Sequence, residues 1–483
     1  MSRELLTLER MRTDRWELLP VRFHPLDAKR VVVTNIVGEW LILDRSEFSK
    51  VVDPSEGRPT AETVAAMRSR HMVRDPDEAL PLELLAMKLR TQRQRLAELT
   101  ALHMFVLTLR CEHTCRYCQV SRQATGRTEF DMTEETAEAA LQLVFRSPSR
   151  QIKIEFQGGE PLLNFPLLRW IVERAEALNE FHKRDLAFVI ATNLALINDD
   201  ILNFCDEHLI DLSTSLDGPS ELHNSNRRRP GQDSWEKAVE GIRRVTERLG
   251  PHRVAALMTT TDASLDQPEA IIDTYVDLGL TGIFLRPISP YGFAMRQRAG
   301  AHYDAPRWLE FFRRGLDHII ELNRQGTQMT EIYSAIVAKK MFTNESPGYI
   351  DLMSPAGIGI GGIVYNYNGS VYASDEGRML AEMGDQTFRL GTVRDGYRSL
   401  MTSAKLHDPL RESFTLSVPG CDTCAFEPYC GADPTYHHAT AGDFAGHKTF
   451  SAFCERNTGV FTHLLGLTED PFTRDLLRKW ANA

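Results

Sequence analysis

The 483-residue chain is 42% hydrophobic and 25% charged, a composition that fits a soluble globular protein of about two to four domains. Its net charge of -10 argues against broad nucleic-acid or anionic-membrane binding. No apolar run is long enough to span a bilayer, and the acid-bearing N-terminus lacks the apolar stretch of a signal peptide, so a cytoplasmic location is expected. Residues 1–98 read as a small unit with strands at 21–24, 30–35 and 38–43, a helix from Arg45, another after Thr60, and a third over 80–99. From Ala101 apolar strand candidates recur at 104–109, 152–157, 186–192, 210–216, 253–260 and 282–287, separated by intervals that can hold helices. Thr133 caps one such helix, with Ala137, Ala140, Leu141 and Val144 on one face. Parallel strands need crossover connections, so the pattern predicts an α/β unit over 99–325 with helices outside a parallel sheet. Its chemistry should lie at the carboxyl ends of the strands. Residues 326–400 read as a connector containing a β-hairpin over 359–373, with Asn368-Gly369 as a primed turn. Residues 401–483 form a last unit.

Seven of the eight cysteines fall into two clusters, a pattern that in a reducing compartment suits metal better than disulfides. Cys205, in a helix-like run, reads as a buried small residue. The first cluster is Cys111, Cys115 and Cys118, spaced C-x3-C-x2-C directly after the first strand of the α/β unit. Three thiolates are one short of the four that close a [4Fe–4S] cluster or a structural zinc site. A cluster so held keeps one iron open to a non-protein ligand; a zinc knuckle completed by His113 or a distant residue is the plainer alternative.

With Tyr117 before its last cysteine, this stretch resembles the signature of radical S-adenosylmethionine (SAM) enzymes. The resemblance implies a partial (β/α)6 TIM-type barrel. It also implies that SAM chelates the open iron and that one electron cleaves it to methionine and a 5′-deoxyadenosyl radical, which abstracts hydrogen from the substrate. Further motifs agree in order. Gln157-Gly158-Gly159-Glu160-Pro161 is similar to the family's GGE(P), which grips the SAM amino group; glycines admit close approach and a carboxylate can pair with an ammonium. Asn193, after Thr192, resembles the polar residues near the adenosyl group. The stretch from Ser213 to Arg227 resembles S-x-D-G-P-x3-H-(D/N)-x2-R, which implies Ser215 at the ribose and Arg227 at the SAM carboxylate. Arg286, before Pro287, resembles a further SAM contact.

The second set, Cys421, Cys424, Cys430 and Cys454, can close a site completely. Its spacing resembles the SPASM/Twitch C-terminal domains of the same enzymes, which carry extra [4Fe–4S] clusters. A full SPASM domain has seven cysteines; here Ser374 and Pro434 stand at cysteine positions, so one auxiliary cluster is implied beside the SAM-binding one. Structural zinc is the alternative. The N-terminal unit resembles the winged-helix peptide-recognition element of peptide-modifying members, to which a precursor peptide adds a strand; a structural cap is its alternative. The whole arrangement resembles maturases of ribosomally made peptides, and residues 108–122 are most similar to those of His-Xaa-Ser repeat systems. That implies side-chain modification of a precursor peptide, a flavodoxin- or ferredoxin-type one-electron reductant and a second maturation enzyme as partners, and no nucleic acid or membrane partner. Asp375 and Glu376 are base candidates by position. The rival functions are activation of a folded protein, as in anaerobic sulfatase maturases, and a non-catalytic zinc-binding interaction protein.

Overall fold

The computed structural model describes residues 16–292, 303–343 and 345–482. In the N-terminal unit β1 (Glu17–Leu18) pairs with β5 (Val73–Arg74), and β2 (Val21–Pro25), β3 (Arg30–Asn35) and β4 (Trp40–Asp44) form an antiparallel meander. Side chains alternate across a strand. Val31 and Val33 therefore join Leu43, Phe48, Met67 and Met72 in a small core, while Val32 points the other way into the main one. Helices Arg45–Val52, Ala61–Arg68 and Leu80–Arg93 complete the unit; the last tightens into a 3-10 turn at Gln94–Glu98. The unit is bolted to the far end of the chain. Thr34 Oγ1 donates to the Ala425 carbonyl at 2.7 Å. The Tyr429 hydroxyl donates to the Gly38 carbonyl at 2.6 Å, and Arg22 pairs with Glu427 at 2.9 Å. All three partners lie between Cys424 and Cys430.

The central sheet is mixed. Strands β6 (Leu102–Thr108), β7 (Gln151–Gly158), β8 (Asp185–Ala191), β9 (Asp211–Ser215) and β10 (Val254–Leu257) run parallel in sequence order. Helices Glu134–Val144, Phe165–His182, Asp199–Glu207 and Ser234–Leu249 lie between them. β6 sits inside the sheet and is buried on both faces, which explains its unbroken apolar run. Beyond it the sheet continues through β13 (Gly362–Tyr365), parallel to β6, then β14 (Ser370–Tyr372) and β15 (Arg389–Thr392). The stretch expected as a connector thus supplies three strands of the main sheet. Across the β6–β13 seam His103 Nδ1 lies 3.1 Å from the Tyr365 hydroxyl, and burial pushes its pKa down to about 3.

Two expectations need correction. Of the sixth strand expected at 282–287 only β11 (Gly282–Ile283) forms, and it pairs with β12 (Thr330–Glu331) rather than with β10. Pro287 and Pro290 lack the N–H a ladder needs, and the buried Glu331 carboxylate takes the Leu285 N–H at 3.2 Å. The hairpin turn is not a primed one. Of Asn368 and Gly369 only Gly369 has positive φ, +79°, and its N–H closes a turn onto the Asn366 carbonyl at 2.8 Å.

Candidate active site

The carboxyl ends of β6 to β10 open into a cavity of about 250 Å³. Cys111, Cys115 and Cys118 line one side, and Tyr117, Gly158, Gly159, Asn193, Ser215, Arg227 and Arg286 line the rest. Of the residues singled out for SAM contact, Glu160 alone does not reach the cavity wall.

The cysteine loop is held by its backbone. The Cys111 N–H donates to the Gln123 carbonyl at 3.0 Å, Thr114 N–H to Arg228 at 2.6 Å, and Arg116 N–H to Asn226 at 2.9 Å. Arg110 clamps the loop's root through two 2.7 Å contacts to Asp131. Gly158 and Gly159 are required by this packing. A Cβ on Gly158 (φ +145°) would stand 2.1 Å from the Thr108 carbonyl oxygen, and one on Gly159 would stand 2.2 Å from that of Arg110. The loop itself, as well as any ligand, fills the space where side chains would be.

Glu160 is fully buried. Its carboxylate accepts from Thr192 Oγ1 at 2.7 Å, Leu162 N at 3.0 Å and Asn193 N at 2.9 Å. The carboxylate expected to face an ammonium group instead fixes the Thr192–Asn193 corner. Asn193 Nδ2 then reaches Glu112 at 2.8 Å and His113 Nδ1 at 3.0 Å.

Cys111, Glu112 and His113 bring ligand atoms within 4.8 Å of one another, a set that could hold a lone ion. Both ring nitrogens of His113 are engaged, however: Nδ1 by Glu112 at 3.1 Å and Asn193, Nε2 by Ser234 Oγ at 2.8 Å. Completing a zinc knuckle through His113 would break this network.

Asp217 belongs to the S-x-D-G-P stretch but had no role assigned to it from sequence. Fully buried, it accepts from the Tyr117 hydroxyl at 2.6 Å and Asn226 Nδ2 at 3.1 Å. It also lies 3.2 Å from Arg227 Nε, whose guanidinium sits over the Tyr117 ring, 5.2 Å from its centroid. One carboxylate therefore aims both the tyrosine and the arginine into the cavity. Burial, helped by Asp217 and Cys115 and opposed by Arg227, pushes the Tyr117 phenol well up and keeps it neutral.

Asp375 and Glu376 differ in surroundings. Asp375 is tied at 2.8 Å to Arg378, whose side chain is fully buried. Glu376 faces a second cavity, which Arg286 also lines. Ser374 Oγ caps the helix Asp375–Glu382 by accepting from Gly377 N at 3.0 Å.

In the C-terminal unit the like charge of Cys424, Cys454 and Cys421 adds to burial in raising the Cys430 thiol, so the four sulfurs are neighbours. Two lysines lie near these sulfurs: Lys448 by Cys424, Cys454 and Cys421, and Lys340 by Cys430. His437 and His438 are engaged elsewhere, by Ser451 at 3.0 Å and Asp385 at 2.6 Å. Cys205 is fully buried.

Residues 105–275 match the Radical SAM superfamily. These residues carry a Radical SAM domain, and the relatives that match the chain include enzymes. Among its relatives is an uncharacterized protein of Methanocaldococcus jannaschii, 36% identical over 112 residues, 23% of this chain and 37% of that one. Another is the radical SAM cyclopropyl synthase TigE of Paramaledivibacter caminithermalis, 24% identical over 227 residues, 44% of this chain and 45% of that one. The match thus spans less than half the length of either relative. The fold is similar to that of native anSMEcpe with bound AdoMet, with a TM-score of 0.64 at 17% identity over 79% of this chain and 99% of that one. It is also similar to Streptococcus suis SuiB bound to precursor peptide SuiA, with a TM-score of 0.50 at 12% identity over 86% and 95%. No helix among the described residues is long and apolar enough to cross a membrane.

Proposed function

We propose that the protein is a radical SAM maturase that modifies side chains of a ribosomally made precursor peptide. The observation carrying this reading is the single cavity shared by three thiols, the open backbone at Gly158 and Gly159, and the Arg227 guanidinium. Three soft donors with room left beside them fit a cubane cluster with one open site. When bound, a [4Fe–4S] cluster and SAM supply a reductively generated 5′-deoxyadenosyl radical.

The chain's own residues bind, orient and exclude water. Cys111, Cys115 and Cys118 hold the cluster. Arg227, pre-aimed by Asp217, meets the SAM carboxylate as a charge-assisted partner, and Ser215 at the end of β9 meets the ribose. Glu160 acts through Asn193 as a positioning residue. Cys421, Cys424, Cys430 and Cys454 fit a second, fully ligated [4Fe–4S] cluster, with Lys448 offsetting its negative charge. Glu376 is the better base candidate, because Asp375 is held by Arg378. An outer strand edge of β2, with Phe23 55% exposed, offers a precursor peptide backbone partners. A one-electron donor of the flavodoxin or ferredoxin type would dock from outside, and a second maturation enzyme completes the set of partners.

The test is anaerobic reconstitution with iron and sulfide, then SAM and dithionite. Broad absorption near ~400 nm and formation of 5′-deoxyadenosine are expected, with a mass change in a co-expressed precursor. A silent spectrum with bound zinc, or intact SAM, would overturn the proposal.

A further inference from the structure

Arg286 also lines a smaller cavity, of about 60 Å³. Its polar wall is made by Asp351, Glu376 and Asp433, which come from three separate stretches of the chain. Asp351 accepts from the Tyr349 hydroxyl at 3.0 Å, and Asp433 accepts from Thr435 N at 2.9 Å. No side chain among the described residues donates to Glu376. Burial raises all three carboxyls, Glu376 to about 7, and each of Glu376 and Asp433 is raised further by neighbouring carboxylates. Two guanidiniums, Arg286 and Arg456, line the same space, but neither forms an ion pair with the acids among the described residues. Arg456 instead lies over Tyr436, 5.4 Å from the ring centroid.

A cluster of acids alone would say little. Two further groups point to a ligand. Tyr291 is 2% and Trp308 1% exposed, both line the cavity, and neither the Tyr291 hydroxyl nor Trp308 Nε1 has a hydrogen-bond partner among the described residues. Buried polar groups of this kind ordinarily have partners. The remaining walls are aromatic: Tyr333 stacks on Phe284 at 5.7 Å between ring centroids, and Tyr349 closes on Tyr333 at 6.1 Å.

We infer that this cavity receives one positively charged residue of the substrate, a lysine or an arginine, beside the residue that is modified. None of the three acids forms an ion pair among the described residues, Glu376 receives no side-chain hydrogen bond among them, and aromatic faces attract ammonium and guanidinium groups. A peptide residue also brings a carbonyl, which the indole N–H of Trp308 and the Tyr291 hydroxyl can bind. Because Arg286 is a wall of both cavities, a residue seated here places its neighbour in the chain toward the cysteine cavity. The inference rests on the peptide-substrate reading above.

The experiment is equilibrium binding of two synthetic peptides to the reconstituted holoenzyme, Ac-Gly-Lys-Gly-NH2 and its norleucine analogue, with crystals soaked in n-butylammonium or n-butyrate. A buried charge-assisted contact predicts at least about tenfold tighter binding of the lysine peptide, and butylammonium density against Glu376. The substitution Glu376→Gln, at a side chain that receives no side-chain hydrogen bond, should abolish the preference while the unfolding midpoint is held. Equal affinity for the two peptides, or butyrate rather than butylammonium in the cavity, would overturn the inference. Neither readout requires turnover, so failure to form 5′-deoxyadenosine would strike the radical reading and leave this result to be judged separately.

Discussion

At the scale of single residues, Asp217 does most to shape the cavity, although the motif that contains it assigned roles only to Ser215 and Arg227. Asp217→Asn would leave Arg227 as a buried charge without its counter-ion, a loss of about 3–5 kcal/mol. Urea unfolding should record that loss, and saturating SAM should restore part of it if its carboxylate meets Arg227. If SAM gives the variant no more protection than it gives the parent, Arg227 does not hold that carboxylate. The cysteines, the glycine pair, Asn193, Ser215 and Arg286 could be grouped from sequence because they sit at or just past strand ends, and Arg227 because its motif places it one short helix later. The orientation of Glu160 was not, because whether a carboxylate turns outward or toward Thr192 depends on a strand thirty residues away. The same holds for Asp375 and Glu376, adjacent in sequence and separated in role by the buried Arg378.

Buried histidines set a pH limit at this scale too. Burial lowers His103 and His223 to about 3, from an ordinary 6.5. Between those values the unfolded chain takes up protons that the native protein refuses. The stability is therefore complete above the unfolded value and is lost as pH falls through it, at up to about 1.4 kcal/mol per pH unit for each ring. Chemical denaturation between about pH 6 and 4 should show this decline, and His103→Gln should make it shallower. An unchanged slope would mean that His103 is not kept neutral by its burial.

At the scale of elements, strand ends and helix crossings are exacting to different degrees. Gly158→Ala forces a Cβ onto a carbonyl oxygen of β6, so a cost of about 1–3 kcal/mol or more is expected, with reduced iron uptake by the cysteine loop. Gly459→Ala, in the helix Ala452–Leu467, meets only the far end of Leu309 at 2.5 Å. That side chain can turn aside, so its cost should be the smaller of the two in the same unfolding experiment. Local pattern announced β6 to β10, whose apolar runs and intervening helices are short-range features. It could not announce β13, because a four-residue strand pairing with β6 across about 260 residues of chain leaves no periodic trace. The prolines that cut short the sixth strand were in plain view, yet the apolar run before them dominated the expectation.

At the scale of the whole molecule, the N-terminal unit and the second cysteine set form one packed body. Thr34→Val removes a buried hydroxyl and leaves the Ala425 carbonyl unmet, which should cost about 1–3 kcal/mol. Deleting residues 1–98 would uncover Phe426 and Tyr429 and so should lower iron bound by Cys421, Cys424, Cys430 and Cys454. Iron analysis of the truncated protein checks this; full loading would show that the docking is dispensable. Loss of peptide affinity in that truncation would accordingly be ambiguous, and a charge placed on the β2 edge at Phe23 is the cleaner probe of peptide docking.

Arg286 stands as a party wall between two chambers, and a single charge cannot serve two tenants independently. Whatever enters the acid-lined room draws on the same guanidinium that the nucleoside side would feel. Ligands of the two rooms would then alter each other's affinity by one common factor, whichever is seated first.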